Sequence, residues 1–179
     1  DERSALLPRT LTRKPVLVSA DPVLLLLQAG AQSDGDCLVL VPRSNSGEAF
    51  FQEAQNLLVQ YKPSAVRILL LQPEDPQEQH IGERLRTLSA GRKAVVIPIQ
   101  ELSQLVTALQ GASFVLSERY HGALTALALG IRYRVLSQGQ GDKLSSLRPG
   151  ETEASFAESL LVKARTGESA LRESLLKLH

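Results

Sequence analysis

Arg119 and His121 stand two residues apart in Ser117-Glu118-Arg119-Tyr120-His121-Gly122, a permanent cation beside an imidazole that can give or take a proton. On an extended backbone the two point to the same side, which suits binding an anion and moving a proton at it. A lone R-x-H is a weak motif, and an isolated histidine is more often structural than catalytic, so the pattern alone leaves both readings open. Gly122 allows a ligand to approach the backbone closely, and it serves equally well as a packing glycine.

Two other segments carry suitable groups. Pro42-Arg43-Ser44-Asn45-Ser46-Gly47 joins a cation, hydroxyls and a glycine to a helix predicted to begin near Glu48. Such a set can hold a phosphate or carboxylate, and it also fits an ordinary capped turn with a solvated arginine. Gln138-Gly139-Gln140-Gly141-Asp142-Lys143 offers two glycines, a carboxylate and a lysine that can close over a ligand. The bland alternative is a flexible turn into a short helix capped by Asp142. His80 lies on a polar helical stretch and His179 is the last residue, so both read as solvated. The chain has no GxGxxG, P-loop or GxSxG, and no His/Cys cluster with metal spacing, so neither a metal nor a cofactor is expected.

Short apolar runs at residues 16–18, 38–41, 66–71, 95–97, 114–116 and 133–136 read as strands buried on both faces. Between them, helical spacing links Phe50, Phe51, Ala54, Leu57, Leu58 and Tyr61, then Ile81, Leu85 and Leu88, then Leu102, Leu105, Val106 and Leu109. This alternation is the signature of right-handed βαβ units, so the expected fold is α/β, a Rossmann-like doubly wound and mainly parallel sheet. Residues 122–129 are apolar almost all round and predict the most deeply buried helix. In the tail, Phe156, Leu160 and Leu161, then Leu171, Leu175 and Leu178, predict two amphipathic helices separated by Thr166-Gly167-Glu168 and packed outside the sheet. In such sheets ligands bind beyond the carboxyl ends of the strands, where all three candidate segments fall.

At 179 residues and 43% hydrophobic, the chain is long enough for one substantial core, so residues 1–179 are read as a single Rossmann-like domain. A formal charge of +1 provides no global field to attract nucleic acid or an anionic membrane, so any anion site must be local. The longest purely aliphatic run, residues 23–27, falls far short of the roughly 20 residues of a spanning helix. No apolar signal core follows Asp1-Glu2-Arg3, and the single Cys37 sits in an apolar run with no partner for a disulfide. A cytoplasmic location is therefore expected, with peripheral membrane association allowed. The absence of methionine favours a fragment of a longer polypeptide.

From Ser117-Glu118-Arg119-Tyr120-His121-Gly122-Ala123 through Ala126 and Leu129-Gly130 to Gly141-Asp142-Lys143, the chain resembles the polysaccharide pyruvyl transferase family. That family has an S-x-R-[LY]-H-[AG] segment, an apolar helix ending in A-x-x-x-G, and a D-x-K or D-K turn some way on. Ala20-Asp21-Pro22 and residues 38–43 resemble upstream family segments. The resemblance implies transfer of a pyruvyl group from phosphoenolpyruvate, as co-substrate, onto two hydroxyls of a glycan or lipid-linked sugar of a cell-wall or exported polysaccharide. It implies His121 and Arg119 as catalytic residues, with Arg43, Ser44, Ser117, Gly122, Asp142 and Lys143 binding substrate. It also implies one half of a B-type glycosyltransferase architecture, here the carboxyl-terminal domain, partnered by an amino-terminal half of the same polypeptide. Two positions depart from the family pattern: Glu118 places a carboxylate where it can pair with Arg119, and Arg132 stands where a proline or small residue is usual. The competing expectations are a nucleotide-sugar glycosyltransferase or epimerase, and a non-catalytic binding domain that kept the fold.

Overall fold

The computed structural model describes residues 35–139, 142–147 and 154–176; the strand expected at residues 16–18, the Ala20-Asp21-Pro22 segment, and Gln140 and Gly141 lie outside them. One compact unit, within Ala29–Thr152, holds β1 (Cys37–Val41), α1 (Glu48–Tyr61), β2 (Ala65–Leu70), α2 (Pro76–Leu88), β3 (Lys93–Pro98), α3 (Leu102–Leu109), β4 (Phe114–Ser117), α4 (Tyr120–Ala128), β5 (Tyr133–Val135) and a 3-10 turn at Lys143–Ser146. The five strands form one sheet in the order β3-β2-β1-β4-β5, and every neighbouring pair is parallel.

Alternation along the strands divides the core into two layers. Leu38 and Leu40 of β1, Val66, Ile68 and Leu70 of β2, and Phe114 and Leu116 of β4 pack with Phe50, Ala54 and Leu57 of α1 and Ile81 and Leu85 of α2. Val39, Leu69 and Val115 point the other way and are equally buried. α3 and α4 cover that second face: Arg67, in register with Val39, donates to the carbonyls of Ala108 and Gln110 at the end of α3, and Gly122 of α4 lies against Val41. Each buried leucine removed from water contributes on the order of 2 kcal/mol, which is why the strands read as apolar runs with little alternation. The two edge strands are exceptions: Val95 of β3 and Arg134 of β5 are exposed where burial on both faces is expected from the runs at 95–97 and 133–136.

Gly122 and Gly130 set the placement of α4. A Cβ at Gly122 would stand 2.7 Å from Ser117 Oγ and 3.1 Å from Val41 Cγ1, so glycine lets the helix lie directly on β1 and β4. At the far end Gly130, with φ of +70°, terminates the helix: its N–H donates to Leu127 O and that of Ile131 to Ala126 O. This is a Schellman motif, and it turns the chain back into β5. The A-x-x-x-G pattern thus has a local mechanical cause.

The second compact unit contributes α5 (Ala154–Leu176). One continuous helix replaces the two that the spacing predicts, running straight through Thr166-Gly167-Glu168. A single interior glycine costs a helix only about 1 kcal/mol. Thr166 Oγ1 donates to Val162 O at 2.9 Å, and Arg172 pairs with Glu168 one turn away at 2.7 Å, so side-chain contacts carry the helix across this segment. Among the described residues no helix is long and apolar enough to cross a membrane.

Candidate active site

In the strand order β3-β2-β1-β4-β5, the chain leaves β1 toward β2 on one side and returns to β4 on the other. The carboxyl ends of β1 and β4 therefore flank the topological switch point, where α/β sheets of this kind open a crevice for ligands. Val41 and Ser117 are in register there, and residues 42–47 and 118–121 follow these strand ends. Neither Gly47, the N-cap of α1, nor Arg119, the N-cap of α4, makes a side-chain capping bond. Two helix amino termini, each equivalent to roughly half a positive charge, thus follow the two strands that flank the switch point.

The β1 loop is a tight turn. Ser46 N donates to Arg43 O at 3.1 Å, and Arg43 N donates back to Ser46 Oγ at 2.8 Å. Ser44 lies half-buried within it. The Arg43 guanidinium contacts Asp142 Oδ1 at a long 3.5 Å and keeps 27% of its side chain exposed. Asp142 caps the 3-10 turn by accepting from Leu144 N at 3.1 Å, and its other oxygen accepts from Gln138 N at 3.4 Å. Lys143 follows, exposed at the start of that turn. The β5 loop is therefore tied to the β1 loop through one ion pair.

Ser117 is buried, and its hydroxyl is occupied locally, donating to Arg119 O at 2.8 Å and accepting from Arg119 N at 3.1 Å. This turn carries the backbone from β4 directly into α4 at Tyr120. The extended geometry that would align Arg119 with His121 consequently ends at Arg119. The correction is physical: the helix starts one residue before His121, so side chains two apart no longer share a side. His121 is exposed on the first turn of α4, with Tyr120 packed edge-on at 5.6 Å between ring centroids.

Arg119 takes a different direction, reaching back across the carboxyl edge of the sheet. Its Nε donates to Pro42 O at 3.3 Å beyond β1, and its Nη2 donates to Gln72 Oε1 at 2.7 Å beyond β2 and to Glu78 Oε2 on α2. Glu78 is fully buried, and its Oε1 accepts from the backbone N–H groups of Leu71 at 2.7 Å and Gln72 at 3.0 Å. A buried carboxylate is tolerable only with such compensation. Glu78 and Gln72 escape motif reading because they lie more than forty residues from Arg119 in the chain; the one local hint is a glutamate in the first turn after Asp75-Pro76, where side chains reach back to free N–H groups.

Glu118 pairs elsewhere than the sequence suggests. Its Oε2 accepts from Ser46 Oγ and, at 3.2 Å, from Gln138 Nε2, so it faces the β1 and β5 loops and leaves Arg119 to Glu78. Burial pushes its carboxyl pKa upward, opposed in part by hydrogen bonds from Ser46 and Gln138 and by the charge of Arg43. Arg132 lies before β5, at the opposite end of the strand from the crevice, with its guanidinium 5.4 Å from the Tyr61 ring centroid.

Two consequences are measurable. Glu78→Ala leaves the partly buried Arg119 without its carboxylate and the backbone N–H groups of Leu71 and Gln72 without their acceptor, so unfolding in urea should show a loss of about 3 kcal/mol. Glu78→Gln, which keeps an acceptor for the backbone, should lose less; equal, small losses in both contradict the assignment. For Glu118 the raised pKa fixes the sign of a pH effect: the favourable contribution is complete below the ordinary glutamate range and disappears as pH rises through the raised value. Chemical denaturation across that window should show Glu118→Gln gaining stability relative to the wild-type chain as pH rises. A difference independent of pH contradicts the burial of an ionisable carboxyl at this point.

The switch point falls within a span that comparison with known proteins identifies. No curated protein matches the chain by sequence. Among solved structures, the 2.2 Å crystal structure of a candidate UDP-N-acetylglucosamine 2-epimerase from Listeria monocytogenes is similar with a TM-score of 0.41 and 14% identity, over 71% of this chain and 32% of that one. The chain thus spans about a third of the length of that protein. The model of the polysaccharide pyruvyl transferase family matches residues 1–139, a span that takes in residues 42–47 and 118–121 and stops just before Asp142 and Lys143. On that match across most of its length, the chain belongs to the polysaccharide pyruvyl transferase family.

Proposed function

We propose that this chain is the donor-binding half of an enzyme that transfers a pyruvyl group from phosphoenolpyruvate to two hydroxyls of a sugar, in a glycan or lipid-linked precursor of an exported polysaccharide. The observation that carries this reading is the meeting of Arg43 and two helix amino termini without side-chain caps at the β1–β4 switch point. The donor bears a phosphate and a carboxylate, and this is the chemistry such a crevice favours. Arg43 contributes its long-paired, partly exposed guanidinium, and Lys143 adds charge from the β5 side. Arg119 is already balanced by Glu78, so its part is to hold the rim of β4 over the ends of β1 and β2.

His121, exposed on the first turn of α4, supplies the proton in this reading. Protonation of the methylene carbon of the enol phosphate leaves the central carbon as an oxocarbenium electrophile, and the first sugar hydroxyl adds there and loses its proton. The bond from that carbon to the phosphate oxygen then breaks with the electron pair leaving on phosphate. The second hydroxyl adds to the same carbon and loses its proton, closing the ketal. The net change is phosphoenolpyruvate plus diol to cyclic ketal plus inorganic phosphate, with no redox step. The acceptor and the opposite wall of the cleft belong to the amino-terminal half of the polypeptide, and the reaction is cytoplasmic, where the donor is made.

Positioned acid catalysis is typically worth on the order of 10²- to 10⁴-fold, so His121→Ala in the complete enzyme should lower acceptor-dependent phosphate release from phosphoenolpyruvate by that factor. Binding of phosphoenolpyruvate, followed by calorimetry, should survive the substitution. Unchanged turnover in His121→Ala contradicts the role of His121, and preferential binding of a uridine nucleotide contradicts the donor.

A further inference from the structure

A carboxylate at an anion crevice is electrostatically misplaced unless it serves something other than its charge. Glu118 is such a group: it lies at the end of β4 beside the switch point and only 4% of its surface is exposed. Its contacts close a ring. Arg43 N donates to Ser46 Oγ at 2.8 Å, and Ser46 Oγ donates to Glu118 Oε2. Gln138 Nε2 donates to the same oxygen at 3.2 Å, Gln138 N donates to Asp142 Oδ2 at 3.4 Å, and Asp142 Oδ1 meets the Arg43 guanidinium at 3.5 Å. The circuit returns to the residue from which it began, passing through the loops after β1, β4 and β5.

We propose that Glu118 is a positioning residue for the bound donor, acting through this ring to hold Arg43 and the amino terminus of α1 toward the crevice. The inference rests on the donor reading above and deepens it. Ser46 has one hydroxyl proton, and giving it to Glu118 leaves the serine oxygen to accept from Arg43 N, which fixes the turn at residues 43–46. Arg43 is then restrained at its backbone by Ser46 and at its guanidinium by Asp142, and both restraints lead back to Glu118. Preorganisation of this kind lowers the ordering cost of binding. The upward pKa shift of Glu118 is consistent with the role, since a carboxyl closer to neutrality repels the incoming anion less. A carboxylate beside the arginine therefore works in the site without pairing to Arg119.

The test uses the complete enzyme, with phosphoenolpyruvate titrated by calorimetry into Glu118→Ala, Ser46→Ala, their double variant and Glu118→Gln. One hydrogen bond to a charged group is worth roughly tenfold in affinity, so each alanine variant should weaken binding about tenfold. The double variant should be no weaker than either single, because Ser46 acts through Glu118. Glu118→Gln still accepts from Ser46 and should bind within about threefold of the wild-type enzyme. Unaltered affinity in Glu118→Ala, multiplicative losses in the double variant, or failure of glutamine to rescue would each overturn the proposal. Should Glu118→Ala not fold, Ser46→Ala and Gln138→Ala carry the same comparison and the same expected loss. Amide hydrogen exchange at residues 43–47 separates this proposal from the donor reading. If the wild-type enzyme ignores phosphoenolpyruvate, the donor reading fails; the ring is still supported by faster exchange in Ser46→Ala than in Glu118→Gln, and overturned by equal exchange in the two.

Discussion

Glu78 needs a cation and two backbone donors to exist where it does, fully buried beneath the carboxyl edge of the sheet, and the rest of the site is arranged around that need. The donors are the backbone N–H groups of Leu71 and Gln72, and the cation arrives from β4 as Arg119. To reach it, the Arg119 side chain must pass over Pro42 at the end of β1, where its Nε is also bound. One ion pair therefore fastens the ends of three neighbouring strands. Breaking such a pair from one side costs far more than forming it yields, which makes it a device for holding one geometry and a poor source of net stability.

With Arg119 committed to that task, the proposed donor chemistry falls to groups around it. In that proposal the positive potential comes from Arg43, alongside its ion pair with Asp142, and from the first turns of α1 and α4, and the proton comes from His121. Glu118 links the loops after β1 and β5 through Ser46 and Gln138. Gly122 makes the arrangement compact, because only a residue without a side chain allows α4 to sit against Val41 and Ser117 and so bring its amino terminus to the switch point.

Much of this fold is readable from the chain because doubly buried strands must be apolar throughout and each helix shows its buried stripe. The runs at residues 38–41, 66–71 and 114–116 all emerge as strands within a residue or two of their ends. Failures occur where a neighbour in space, or a single residue of helix boundary, decides the outcome. The alignment of Arg119 with His121 depends on whether the chain is extended at Tyr120, and Ser117 closes the turn that makes it helical. Pairing of Arg119 with Glu78 and of Glu118 with Ser46 crosses sequence gaps of 41 and 72 residues, which no local pattern encodes. The predicted break at Gly167 is absent because an isolated glycine weakens a helix without stopping it.

The central claim is that the β1–β4 switch point receives the phosphate and carboxylate of the donor. A crystal structure of the complete enzyme with phosphoenolpyruvate tests it most directly. The account predicts the ligand between residues 43–47 and 119–122, with its anionic groups toward Arg43 and the amino termini of α1 and α4. Phosphoenolpyruvate bound elsewhere, with those two loops unoccupied, contradicts it.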